Sequence, residues 1–466
     1  MGSKPALVPG APGPSAPKAG APKPWNTLER LRGNLYLLLA CDALFLMALM
    51  GAYHVHLQRL QTIGRDSAPS IIAAQHIKSA VAAMEAEAAD DMLGRPAKGV
   101  GIGADYIQER DEAAKALIAA AENIAFGDAE RAPIEDLQVG LADYESLLQF
   151  AMDLHQRGDA SAMDVYRQAA RVADEKLFPA TEELDKANRD AMNNAYDEAT
   201  SQDSVVRLSS MVAGFLLLFS LIYVQGFISE KTRRTLNLPL VLATLVSFGY
   251  LAFAYRALTA EAHSLKIARE DAFRSINALW QARADAYVAR ADLGRSLFGG
   301  PNAEGDRTAF QEEANRVASV SGGQTFSEAA LKATDNHRVD GLTGYLADEL
   351  RNITFYGELE AAQETLRDWG DFASVGNHVI DLQQAGKTPE AIALCTGPGP
   401  NEANGAFHRF DAALGQTLEI NRRAFDQAIQ TGFAALSEFP MIASAAAAII
   451  ACLCIFGVWQ RLREYL

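Results

Sequence analysis

Asp42 stands roughly two helical turns inside a window, Leu35–Tyr53, that is otherwise almost wholly apolar. A carboxylate surrounded by hydrocarbon costs several kcal/mol unless it is paired, protonated or hydrated, so an intramembrane acid is a candidate functional residue. Three roles stay open for it: a hydrogen bond that holds one span to another, a part in signalling, or a step in an ion path. Gln225, in a second apolar window, is a candidate partner. No other residue type occurs at a spacing that does chemistry. The chain has no phosphate-binding glycine loop, no nucleophile elbow and no paired-cysteine zinc motif. His54 and His56 are two apart, which on a helix turns them to different faces. Cys41, Cys452 and Cys454 lie in apolar windows, leaving Cys395 without a partner and no disulfide framework. The expectation is a protein without cofactor or catalytic residues, and not an enzyme.

Positioning Asp42 requires membrane spans, and four windows supply them: Leu35–Tyr53, Met211–Ile228, Leu238–Tyr255 and Met441–Trp459. Each approaches the ~18–20 residues needed to cross about 30 Å of hydrocarbon. The net charge of −16 is distributed to match. Residues 58–209 hold 15 Lys and Arg against 28 Asp and Glu, and residues 257–439 hold 16 against 26. The short flanks are basic, with Lys18, Lys23, Arg30 and Arg32, then Lys231, Arg233 and Arg234, then Arg461 and Arg463. The positive-inside rule puts both termini and the 229–237 linker in the cytoplasm and both acidic segments outside. Acidic outer domains exclude nucleic acid as a partner. Lys231, Arg233 and Arg234 hold the topology, or else touch lipid headgroups or a cytoplasmic partner.

The resulting plan is a disordered cytoplasmic tail (1–34), span one (35–57), an outer helical bundle (58–209) and span two (210–228). The linker (229–237), span three (238–256), a second outer bundle (257–439), span four (440–459) and a cytoplasmic tail (460–466) follow. The tail is rich in Pro, Ala and Gly and builds no core. Span one is read as an uncleaved signal anchor. Ala443–Ala448 with Ala451 gives span four a small face that allows close packing. The outer segments read as helix. The first is expected as four antiparallel helices at about 56–93, 105–126, 133–157 and 161–208, with apolar residues recurring at helical spacing, as in Leu137, Leu141, Tyr144 and Leu148. No period-2 strand pattern occurs.

The second half repeats the first. Asp153-Leu154, Gln156 and Gly158 recur as Asp381-Leu382, Gln384 and Gly386, an offset of 228. Phe178, Glu182, Asp190 and Ala195-Tyr196-Asp197 recur as Phe407, Asp411, Glu419 and Ala424-Phe425-Asp426, an offset of 229. This pattern predicts a tandem duplication and a built-in pseudo-dimer. The fold class is therefore an all-α membrane protein, with four transmembrane helices and two extracytoplasmic four-helix-bundle-like sensor domains. The second copy has more breakers, so its third and fourth helices are expected to be interrupted. Loops 94–104 and 299–306 fall at the membrane-distal tips of such bundles, which makes Arg95 and Lys98 candidate outer partner contacts. Phe355 and Tyr356 interrupt the helical pattern, either as a core anchor or as a partner contact.

Long helices running from bundle to membrane resemble bacterial sensory domains, in which an external event becomes a small helix shift. With only short cytoplasmic pieces, output must pass through another protein. The strings Arg351–Glu358 (RNITFYGE), Ala406–Asp411 (AFHRFD), Ile420-Asn421 and Ala424-Phe425-Asp426 resemble those of the actinobacterial GlnX-type four-span membrane proteins. That resemblance runs from about residue 30 to the end. It implies a non-enzymatic relay between an extracytoplasmic solute-binding lipoprotein, GlnH, and a cytoplasmic Ser/Thr kinase, PknG. Aspartate or glutamate on the lipoprotein would then control phosphorylation. The alternatives are a stand-alone small-molecule receptor with a separate effector and an envelope structural scaffold.

Overall fold

A computed structural model of the chain describes residues 27–94, 103–232, 236–334 and 339–463. The first half runs α1 (Thr27–Gln61), a π-helical turn π1 (Thr62–Ser67), α2 (Ala68–Met92), α3 (Ala104–Glu122) and α4 (Asp128–Gln156). It continues with α5 (Ala162–Val172), a second π-turn π2 (Ala173–Leu177) and α6 (Phe178–Thr232). The second half runs α7 (Leu238–Lys266), π3 (Ile267–Phe273), α8 (Arg274–Ser296), α9 (Ala303–Val317), β1 (Ser319–Val320), α10 (Phe326–Lys332), β2 (Leu342–Thr343) and α11 (Tyr345–Leu350). It ends with α12 (Glu358–Gln384), α13 (Thr388–Thr396), α14 (Ala403–Ser437) and α15 (Phe439–Leu462). The fold is all-α, as expected, with one small addition. β1 and β2 pair antiparallel through Ser319↔Thr343 and Val320↔Leu342. Two-residue strands are too short to show alternation in a sequence, which is why none was read there.

The chain divides into two compact units, one of Met1–Leu49, Ser209–Ala252 and Ile442–Leu466, the other of Met50–Leu208 and Phe253–Met441. Four helical stretches, within Thr27–Met92, Val205–Glu230, Leu238–Ser296 and Ala403–Leu462, are long and apolar enough to cross a membrane. In the first unit Phe215, Phe219, Leu245, Phe248 and Phe456 are exposed, as lipid-facing side chains are, while Leu38, Leu217, Leu221, Leu240 and Ile450 are fully buried. Phe45 meets Tyr250 edge-on at 4.9 Å between ring centroids. Asn237 donates to the Gly457 carbonyl at 2.9 Å. The small face of the last span is buried at Ala443 and Ala447.

The second unit packs both inter-span segments together. One core belongs to the first segment and is built on Ile77, Met84, Tyr106, Leu137, Tyr144, Leu148, Tyr166 and Leu177. The other is built on an aromatic group, in which Trp369 lies 5.4 Å from Phe372 and 4.9 Å from Phe410, and Phe372 lies 5.1 Å from Phe407. Between the cores, α2 lies along α8. Both helices are alanine-rich, with Ala82, Ala86, Ala89, Ala282, Ala286 and Ala289 buried, so their backbones approach closely. At Gly294 an added Cβ would lie 3.0 Å from the Ala89 methyl.

The repeated DLxQxG string has a physical meaning. It ends α4 and α12 with the same turn, in which Gly158 (φ 69°) and Gly386 (φ 76°) take the left-handed conformation that suits glycine. The N–H groups of Asp159 and Lys387 then reach back to the carbonyls of Leu154 and Leu382, at 3.0 and 2.9 Å. Of the interruptions expected in the second half, the fourth helix shows one and the third does not. α12 is unbroken, because Gly322-Gly323 falls before it, whereas the loop after Thr396 parts α13 from α14 where the first half runs from α5 through π2 into α6 without a gap.

Candidate functional site

The α2–α8 seam carries more charge than a close-packed helix pair normally tolerates. Buried acids Glu85, Glu87 and Asp90 from α2 face Arg290 and Arg295 from α8. Arg290 pairs with Glu87 at 2.8 Å and Asp90 at 2.7 Å, and its Nε donates to Asn404 Oδ1 at 3.0 Å. Asn404 donates in turn to Asp90 at 2.7 Å, which ties α14 into the network. Arg295 pairs with both Glu85 and Asp292. Around this centre Arg283 grips Asp411 through two bonds, at 2.7 and 2.9 Å. His76 packs on the Trp280 ring at 5.0 Å. Two guanidiniums thus serve four carboxylates, an excess of negative charge taken out of water. Burial pushes Glu85 up to about 7 and Asp292 up to about 8, although Arg295 opposes both shifts. The seam therefore holds on to protons near neutral pH.

A second construction occurs twice. The π-turns π1 and π3 lie in the first helix of each half, and a π-turn breaks the regular i→i−4 ladder. In the first half the side-chain amide of Asn123 donates to the Asp66 carbonyl (2.8 Å) and to Ser70 Oγ (2.7 Å). In the second, Asn352 donates to the carbonyls of Glu270 (3.2 Å) and Asp271 (2.7 Å) and to Ser275 Oγ (3.0 Å). Each asparagine opens the string Asn-Ile-x-Phe, Asn123–Phe126 and Asn352–Phe355. The N–H groups of x and Phe then donate to a buried carboxylate. Glu130 accepts from Ala125 and Phe126 at 2.7 and 2.6 Å, and Glu358 from Thr354 and Phe355 at 2.6 and 2.8 Å. Glu349, fully buried beside Glu358, is raised by burial and by its neighbour's charge. Sequence reasoning missed these clamps. The signal was present, since the two strings are 229 residues apart, the offset of the other matches.

A cleft of about 130 Å³ lies between the halves, lined by Tyr166, Arg167, Arg171 and Asp174 from one and Arg295 and Asp306 from the other. Arg295 is committed to Glu85 and Asp292, and Arg167, one turn from Arg171 on α5, pairs with Asp164 at 3.6 Å. The buried Tyr166 hydroxyl has no hydrogen-bond partner among the described residues, and burial raises its pKa. Asp174 and Asp306 are raised by burial against the pull of Arg295. The arrangement suits a small carboxylate-bearing molecule.

The candidates named from sequence fall in several places. Asp42 is buried in the membrane unit, within electrostatic reach of Tyr250 and Cys454. No hydrogen bond joins it to Gln225 among the described residues, and both Asp42 Oδ1 and Gln225 Nε2 are buried without partners. Phe355 packs against the aromatic core, whereas Tyr356 beside it is fully exposed. Lys231 belongs to α6. Arg95, Lys98, Arg233 and Arg234 lie outside the described residues. Cys395 is a buried free thiol whose pKa burial raises.

This geometry coincides with one match among known proteins. Residues 59–197 match the family model of the actinobacterial sensor domain. The segment is a sensor domain. It includes π1, the Asn123–Glu130 clamp, the seam helix α2 and the arginine wall of the cleft. No curated protein and no solved structure matches the chain.

Two outcomes follow from the sensor domain and its counterpart. Asn352→Ala removes the donor that holds the half-exposed π3 carbonyls and is expected to cost about 0.5–1.5 kcal/mol in thermal unfolding of the full chain, with Asn123→Ala similar. A cost under about 0.5 kcal/mol at both sites would remove the clamp from the account. Because the folded pKa values of Glu85 and Asp292 lie above their unfolded ones, their protonated forms stabilise the fold below about pH 4. That contribution is lost as pH rises toward 7–8, so the melting temperature should fall across this window and fall less in Glu85→Gln.

Proposed function

We propose that this chain is a non-enzymatic transmembrane relay that couples an extracytoplasmic, Asp/Glu-binding solute-binding lipoprotein to a cytoplasmic Ser/Thr kinase. The observation that carries the reading is the sensor domain at 59–197 in a chain with four candidate spans. Its last helix, α6, continues unbroken from Phe178 to Thr232 through the apolar window of span two. A helix is stiff along its axis, so a displacement at one end reappears at the other. On the charge pattern, both termini and the 229–237 linker face the cytoplasm and the acidic unit faces outward. The matched caps at Gly158 and Gly386 and the matched clamps at Asn123 and Asn352 support a tandem duplication, with the second half a diverged copy of the sensor domain. Tyr356 follows the second clamp's Phe355, and its full exposure makes it the first candidate for partner contact.

A second reading, a stand-alone receptor, is favoured by one observation: the cleft that presents Arg167 and Arg171 near a buried, unpartnered Tyr166 hydroxyl. A small acidic amino acid could be captured there without a lipoprotein.

Crosslinking the full-length protein in its native membrane and identifying what co-purifies tests the relay. Recovery of a solute-binding lipoprotein and a kinase, with a deletion strain that loses amino-acid-dependent phosphorylation but keeps amino-acid uptake, is the expected result. Recovery of neither would overturn the relay. In that case, a thermal shift of the purified protein by aspartate or glutamate alone, lost in Arg171→Ala, would establish the receptor.

A further inference from the structure

The two halves share their caps and clamps, yet the second carries an insertion that the first lacks. In the first, Asn123 follows α3 directly. In the second, β1, α10, β2 and α11 intervene between α9 and Asn352. The clamp closes equally well without this insertion, so the extra chain is not required to build the bundle. What it builds is a cleft of about 290 Å³, between α9, β1, α10 and α12.

The lining of this cleft is unlike the rest of the unit. No Asp, Glu, Lys or Arg is among the described residues that form it, although charged residues make up 21% of the chain. Three carboxamides, Gln311, Asn315 and Asn377, surround it, and two phenyl rings, Phe310 and Phe326, supply its apolar part. None of the three carboxamides is engaged by another group of the described residues. Each offers a donor and an acceptor without charge, which matches a hydroxyl group that also does both. The half-buried Phe326 ring and Val320 supply an apolar wall for the C–H bonds of a saturated ring, and the fully buried Phe310 lies beneath them. Small residues of α12 stand beside it. Ala373 lines it, and at Gly376 an added Cβ would lie 2.5 Å from the Phe310 ring.

We propose that this cleft is a binding site for a small neutral polyhydroxylated molecule of monosaccharide size, acquired by the second half of the chain through its insertion. The site is separate from the arginine cleft and from the relay reading, and stands or falls independently of both. Its volume lies at the lower edge of the range typical of small-molecule pockets, which suits one sugar ring and not a larger ligand.

The test is calorimetric titration of the full-length chain in lipid nanodiscs with D-glucose, D-galactose, D-mannose and D-arabinose. At least one should bind saturably. Asn377→Ala, on an exposed position that leaves the fold intact, should weaken that binding roughly tenfold, the effect of one lost hydrogen bond. Ala373→Trp should abolish it. Glucuronate and glucosamine, which add a charge to the same ring, should bind at least tenfold more weakly. Absence of saturable binding by all four sugars would overturn the proposal. So would unchanged binding in Asn377→Ala, or glucuronate binding as tightly as the best sugar. If Ala373→Trp melts at a lower temperature than the parent, Asn377→Ala alone decides.

Discussion

The seam between α2 and α8 is the constraint on which the helical unit depends. Alanines bring the two backbones close, and that closeness leaves no path for water to the acids of α2. Arg290 and Arg295 therefore pair with Glu85, Glu87, Asp90 and Asp292 inside the protein, and protons held by Glu85 and Asp292 offset the remaining charge. Desolvating so many charges is costly, and the pairings offset that cost only while geometry is kept. The consequence is specificity of register: a slide of α2 against α8 by one turn would part Arg295 from Glu85 and break the paired contacts of Arg290 with Glu87 and Asp90. Close packing alone, alanine on alanine, would tolerate such a slide.

The paired clamps supply the complementary property. A π-turn is a place where a helix can lose or regain a residue's worth of winding, and both first helices carry one. Asn123 and Asn352 hold these turns by their carbonyls, and each asparagine is itself set by a backbone turn anchored on a buried carboxylate. A fixed register at the seam and an adjustable turn beside it, in each half, form the combination a relay of small helix displacements needs. The sensor-domain match covers one such set, and the second half provides the other with an insertion added.

Much of this was legible in the sequence because it is written in periods and breakers. The spans follow from unbroken apolar windows, the helix ends from Gly158 and Gly386, and the matched caps and clamps from strings 228–229 residues apart. What was not legible is what depends on contacts between distant segments. Glu85 and Glu87 look like any solvated helix face until Arg290 and Arg295, some 200 positions away, are placed against them. The buried pair of His56 and Glu261 is hidden in the same way, since two histidines two apart suggest nothing alone. The breakers of the second half were visible, but a sequence does not say whether a glycine pair cuts a helix or lies between two. Asp42 is buried but no hydrogen bond joins it to Gln225 among the described residues, because burial follows from hydropathy and pairing requires rotation angles.

The central claim is that buried charge pairing across α2 and α8 joins the two halves into one unit, and a double-mutant cycle on Glu85 and Arg295 tests it most directly. Thermal or chemical unfolding of the full-length protein would be compared for Arg295→Met, Glu85→Gln and the double variant. Arg295→Met alone should cost about 3–5 kcal/mol, because it strands acids in the interior, and Glu85→Gln should recover a large part of that loss. If the arginine variant costs under about 1 kcal/mol, or the two effects simply add, the seam is not held by these charges and the account fails.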